Sequence, residues 1–175
     1  MKINMNTVVL NSREVVRWGI GLLIIGQCAI WPTTSARAQE NKSVAIAIVV
    51  HPDVVDHGIT FTQLRNIFLG EQQFWSNRKK ITLLVRAPVS VERDIVLKRI
   101  YEMTESQFRR YWIAKIFRSE VTSGPKIVYS SDMAKELVKV LPGAITFMPA
   151  SAVDDATRML RIDGKLPGED GYRLQ

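Results

Sequence analysis

Residues 44–50, VAIAIVV, form a run of seven apolar side chains with no polar alternation. A strand with one wet face alternates, so an unbroken β-branched run predicts a strand covered on both faces. Such a strand needs helices above and below its sheet, and the rest of the chain supplies them. Thr60 with Gln63 spells a capping box, Ile59 and Leu64 form its hydrophobic staple, and Phe61, Leu64, Ile67 and Phe68 make one apolar stripe that ends at Gly70. KKITLLVRA, 79–87, predicts a second strand, punctuated by Pro88 and Ser90, with a helix over 91–102 that buries Ile95, Leu97 and Ile100. Thr104 and Gln107 repeat the capping box, with Met103 and Phe108 as staple. The helix that follows carries Phe108, Tyr111, Trp112, Ile113, Ile116 and Phe117, a stripe wide enough to be buried on two sides. KIVYS, 126–130, predicts a short strand, and Ser130 or Ser131 caps a helix with Ala134, Leu137, Val138 and Leu141 inside. Residues 144–148 and 157–164 predict the last strands, and the tail reads as loop.

Strands alternating with helices give an α/β fold, a mixed, mainly parallel sheet with helices on both faces. In such sheets ligands lie beyond the carboxyl ends of strands, where helix N-termini point. That rule selects the loops 51–60, 86–91, 130–132 and 149–152.

The first 38 residues are laid out as a secretory signal peptide. Lys2, Arg13 and Arg17 precede the apolar stretch Trp18–Trp31, and Ala36-Arg37-Ala38 supplies small residues at the cleavage positions. The stretch is short for a membrane-spanning helix, which needs about 20 residues. Gln27 stands before Cys28 where lipid attachment requires a small residue. Cleavage near Ala38 leaves a periplasmic or secreted domain, 39–175, without cysteine, hence without disulfides or thiol chemistry. The leader carries four basic residues and one acidic residue, so its loss lowers the net charge from +7 to +4. That excess does not call for nucleic acid.

Three pieces, ITFTQLRNIFLGEQQFW, ITLLVRAPVSVERDIVLKRIYEMTESQFRRYWIAKIF and GPKIVYSSDMAKELVKVLPGAITFMP, resemble the phosphate-type substrate-binding proteins of ABC transporters. LRNIFLGEQQFW is similar to that family's L-x-x-I-F-x-G-x-x-x-x-W, and LPGAITFM to its x-P-G-A-I-G-Y. The resemblance spans roughly 44–174. It implies the type II periplasmic-binding-protein fold, about one lobe of it, as in short single-domain relatives. It implies a small oxyanion such as phosphate as ligand, an ABC importer or membrane sensor as partner, no enzymatic activity and no cofactor. In the family's anion loop an arginine and a short spacer precede Ser-Gly-Thr at a helix start. Arg86 and Ser90 match here, whereas Val91 and Glu92 stand in place of Gly and Thr. Glycine lets backbone N–H groups approach an oxyanion; Val91 keeps the N–H but adds bulk, and Glu92 repels an anion at short range.

The candidate anion site is therefore Arg86, Ser90, Val91, Ser130, Ser131 and Asp132, with Asp132 able to accept a hydrogen from a protonated oxyanion. The plainer reading has Ser90 capping a helix, Arg86 on a surface carboxylate and Asp132 complementing a helix dipole. His51, Asp53, Asp56 and His57 crowd seven residues of loop and form an alternative zinc set. Trp75 and Trp112 sit in apolar contexts and read as core, and NRKK, 77–80, as a solvated turn. No nucleophile elbow, Walker loop or Ser-His-Asp order is present. The missing Ser-Gly-Thr also admits a second reading, a ligand-free interaction or sensor-accessory module on the same fold, with self-association as one of its forms.

Overall fold

A computed structural model describes residues 44–175; the leader and its cleavage site lie outside the described residues. The first strand, β1 (Ile46–Val50), is wholly buried. Its alternate side chains feed two cores. Ile46, Ile48 and Val50 face the larger one, and Ala47 and Val49 the smaller. A two-residue strand, β2 (Gly58–Ile59), leads into α1 (Phe61–Phe68). There follow β3 (Thr82–Arg86), α2 (Val91–Val96), a π-helical turn at Leu97–Tyr101, and α3 (Glu105–Phe117). The rest is β4 (Lys126–Val128), α4 (Ser131–Val140), β5 (Ala144–Pro149), a 3-10 turn at Ala150–Ala152, β6 (Arg158–Met159) and β7 (Arg161–Ile162).

Five strands form one mixed sheet in the order β4-β3-β5-β1-β6, and β2 pairs with β7 in a second, two-stranded one. β3 runs parallel to β4 and β5, while β1 runs antiparallel to β5 and β6. The larger core holds residues of α1, α2, the π turn and α3 on one face, and α4 closes the smaller core on the other. This is the two-faced burial that VAIAIVV requires.

Local signals set the helix ends. Both capping boxes are complete: the Thr60 and Thr104 hydroxyls accept from the Gln63 and Gln107 amides, and each glutamine carbonyl accepts from its cap's N–H. Gly70 follows α1 at φ +68°, and a Cβ there would stand 2.9 Å from the Trp112 ring. Gly143 is more constrained, because at φ +68° its Cβ would lie 2.3 Å from the Lys80 carbonyl oxygen.

Four expectations are corrected. The antiparallel direction of β1 carries loop 51–60 to the opposite sheet edge from the carboxyl ends of β3, β4 and β5; His51 N donates to Ala144 O at the start of β5. The helix expected over 91–102 forms, but keeps α-helical geometry only through Val96 and then widens into the π turn, ending at a left-handed Glu102. Residues 157–164 divide between two sheets because Leu160, between β6 and β7, turns into the core. On α3, Phe108 and Trp112 are buried, but Ile113, Ile116 and Phe117 face outward, Phe117 being 90% exposed. One face of α3 meets the core; apolar composition alone does not cover the other.

Candidate functional site

The parallel register of β3 and β4 brings two of the predicted loops together. Arg86 stands opposite Val128, and Ala87 N donates to Val128 O at 2.8 Å. Ser130 and Ser131 therefore start α4 beside the loop that starts α2. The 150–152 turn follows β5 along the same edge. Arg86, Ser90, Val91, Ser130, Ser131 and Asp132 share one rim, and loop 51–60 does not.

Arg86 is held down in this rim. Its Nε lies 2.6 Å from Glu92 Oε1, with the two side chains 12% and 11% exposed. Its Nη1 is buried and has no hydrogen-bond partner among the described residues. A buried cationic donor left unpaired is costly, and the rim thus holds a guanidinium partly satisfied from within. Ser90 occupies the N-cap position of α2 without making the side-chain cap bond; its hydroxyl donates to Ala87 O at 3.3 Å instead. Between them Val89 adopts φ +72° and is 99% exposed. A β-branched residue in the left-handed region is strained by about 1–3 kcal/mol, and this turn is what folds Glu92 back onto Arg86. Val91 points outward.

On the α4 side, Ser130 is the cap: its hydroxyl accepts from Met133 N at 3.0 Å. Ser131 is half-buried at the first helical position. Asp132 is 86% exposed and pairs with Lys135 at 2.9 Å. It complements the positive end of the helix in solvent, and it is no buried acceptor for a protonated ligand. Lys135 also reaches Asp154 at 3.7 Å, which fastens the 150s to the same rim.

Arg93, next to Glu92, went unremarked among the candidate residues, yet it organises the rim from below. Its guanidinium is 2% exposed. It bonds the Arg86 carbonyl through Nη1 and both Glu105 oxygens through Nε and Nη2, at 2.8 and 3.1 Å, and lies 4.7 Å from the Phe108 ring centre. The fork locks α2 to α3 and fixes the end of β3. The signal available in the sequence was weak: a basic residue twelve positions before Glu105, which follows the capping Thr104.

The alternative zinc residues do not converge. His51 Nδ1 lies 2.5 Å from Asp53 Oδ1, Asp56 accepts from Ser76, and His57 turns toward Arg158 at 3.5 Å. Among the described residues no group of three or more His, Cys, Asp or Glu side chains gathers around one point. Asp53 instead anchors structure. Desolvation pushes its carboxyl up, but hydrogen bonds from Lys79, Gly143 N and His51 outweigh this and hold it below the usual carboxylate value. Trp75 and Trp112 are both core, Trp75 donating to Gly143 O at 2.9 Å. Of NRKK, Lys79 pairs with Asp53 and Lys80 donates to Thr122.

No family model matches the sequence. Solved structures do resemble the chain. A protein described as a phosphate ABC transporter substrate-binding protein with bound phosphate, from Clostridium perfringens, superposes with a TM-score of 0.55 at 22% identity over 69% of this chain. An ABC-type phosphate transport receptor from Vibrio cholerae gives 0.56 at 21% over 70%, and PstS from Borrelia burgdorferi 0.55 at 16% over 70%. The fold is that of a phosphate-receptor lobe. The matched part spans 45%, 48% and 49% of those three proteins, so the chain covers about half their length.

Proposed function

We propose that this chain is an exported, non-enzymatic solute-binding-like protein of the phosphate-receptor type, which takes phosphate or a similar small oxyanion at the rim formed by Arg86, Ser90, Val91, Ser130 and Ser131. The observation that carries this reading is the Arg86 guanidinium at the end of β3, with a buried N–H that no group among the described residues satisfies. The start of α4 lies on the same edge. Its peptide dipoles place about half a positive charge there, and the half-buried Ser131 adds a hydroxyl. The phosphate-receptor fold supports the ligand class, and an ABC importer or a membrane sensor is the fitting partner. Export follows from the leader at 1–38. The test is calorimetry on residues 39–175 with inorganic phosphate. Saturable heat that disappears in Arg86→Ala supports the proposal, and no heat at millimolar phosphate overturns it.

One observation favours a second reading. Glu92 already supplies an anion to Arg86, and the surface around the pair is apolar, with Val89, Val91 and Tyr129 exposed. Under that reading the rim is a docking face for another protein or a second copy, and no anion enters. A dimer by light scattering that Tyr129→Ser dissolves, with no phosphate heat, distinguishes this case from the first.

A further inference from the structure

The opposite sheet edge, where β3 and β4 begin, holds a cleft of about 290 Å3. Its inner walls are apolar and buried: Ile67 from the last turn of α1, Leu83 from β3, Trp112 from α3 and Val121 from the loop after α3. Its charged lining is one-signed, with Lys80 and Lys126 but no aspartate or glutamate, and Gln72, Gln73, Thr82, Thr122 and Ser123 complete its polar side. Lys80 Nζ is steadied by Thr122 Oγ1 at 3.1 Å, and Thr122 lines the same cleft. Among the described residues neither lysine has a carboxylate within ion-pair distance. The nearby Glu120 carboxylate is taken by Lys115 and Arg118.

This combination selects a ligand class. The volume is at the small end of those that hold organic ligands. A hydrophilic dianion such as phosphate finds donors in Lys80, Lys126, Thr122 and Ser123 but leaves the apolar wall of Leu83, Trp112 and Val121 uncovered. A neutral apolar molecule would leave Lys80 without a counter-ion. A compact body with one carboxylate satisfies both ends, the charge on an ammonium and the body against aliphatic and indole surface. Gly124 faces the Trp112 ring at 4.0 Å, measured from the position a Cβ would take, so the floor beside the indole is backbone with no side chain to fill it.

We propose that this cleft is a second binding site, separate from the rim, for a small monocarboxylate with an apolar or single-ring body, its carboxylate on Lys80 and its body against Trp112, Leu83 and Val121. The proposal does not rest on oxyanion binding at the rim, because the two sites occupy opposite edges of the sheet. Calorimetry with benzoate as probe and benzyl alcohol as its uncharged counterpart tests it on residues 39–175. Saturable benzoate heat is expected, with benzyl alcohol at least tenfold weaker. Lys80→Met, an exposed change that leaves the core intact, weakens benzoate about tenfold. Equal binding of the two probes, an unaltered Lys80→Met titration, or no saturation at ten-millimolar benzoate overturns the proposal.

Discussion

Replacing Glu92 with glutamine removes the charge that holds Arg86 and keeps the volume. The pair is 2.6 Å apart and both side chains are nearly nine-tenths buried. Breaking a buried pair from one side costs about 3–5 kcal/mol, because the remaining charge is stranded. The glutamine carbonyl can still accept from Nε, which places Glu92→Gln at the lower end, about 3 kcal/mol. In a domain of this size each kcal/mol moves the melting temperature by roughly 3–4 °C, so the variant is expected to melt about 10 °C lower by calorimetry. Phosphate then gives the variant a second use. An oxyanion that takes the place of the lost carboxylate restores about 2.7 kcal/mol at a hundredfold its dissociation constant, most of the deficit, while the parent protein gains less because Glu92 competes. A variant that melts within 2 °C of the parent refutes the buried-pair reasoning. A destabilised variant that phosphate does not rescue keeps the pair and favours the docking reading of the rim.

Thr60→Ala and Thr104→Ala each remove a complete capping box and should cost about 1 kcal/mol apiece in urea unfolding, additively because the two caps share no partner. Gly143→Ala drives a Cβ to 2.3 Å from the Lys80 carbonyl oxygen at a positive φ, so it should cost more than 2 kcal/mol or abolish soluble expression. Val89→Gly does the reverse on the rim: relief of the φ +72° strain should raise stability by about 1 kcal/mol in the same assay. Asp53 has a lowered folded-state pKa, so its contribution is fully present above the unfolded value of about 3.9 and is lost as pH falls through the lower folded value. Asp53→Asn should therefore flatten the acid limb of stability against pH below 4, and an unchanged limb contradicts the anchoring role.

The parts of the fold that were legible in the sequence are those whose cause is local. A capping box spans four residues, so Thr60 with Gln63 and Thr104 with Gln107 declare two helix starts without reference to anything distant. Gly70 and the apolar run of β1 are read the same way. The direction of β1 is different, because a run buried on both faces has the same composition in a parallel or an antiparallel neighbourhood. That is why loop 51–60 fell on the wrong edge, and the His51–His57 set with it. The exposure of Ile113, Ile116 and Phe117 depends on what packs over α3, which the helix's own stripe does not encode. At the rim, the convergence of Arg86 and Ser130 followed from parallel strand ends and was readable. The Glu92 fold-back was foreseen only as repulsion toward an anion, because the contact needs Val89 in the left-handed region, a conformation no β-branched residue announces. The Arg93–Glu105 fork crosses two elements, and nothing in the spacing of twelve residues marks it.

Amide NMR on residues 39–175 during titration with inorganic phosphate tests most directly whether the rim built on Arg86 receives an anion. Saturable shifts confined to the amides of Ser90, Val91, Ser131 and Asp132, together with the Arg86 side-chain N–H signals, are the predicted result. A spectrum that stays unchanged to ten-millimolar phosphate, or that responds only at the far edge around Lys80 and Thr122, contradicts the account.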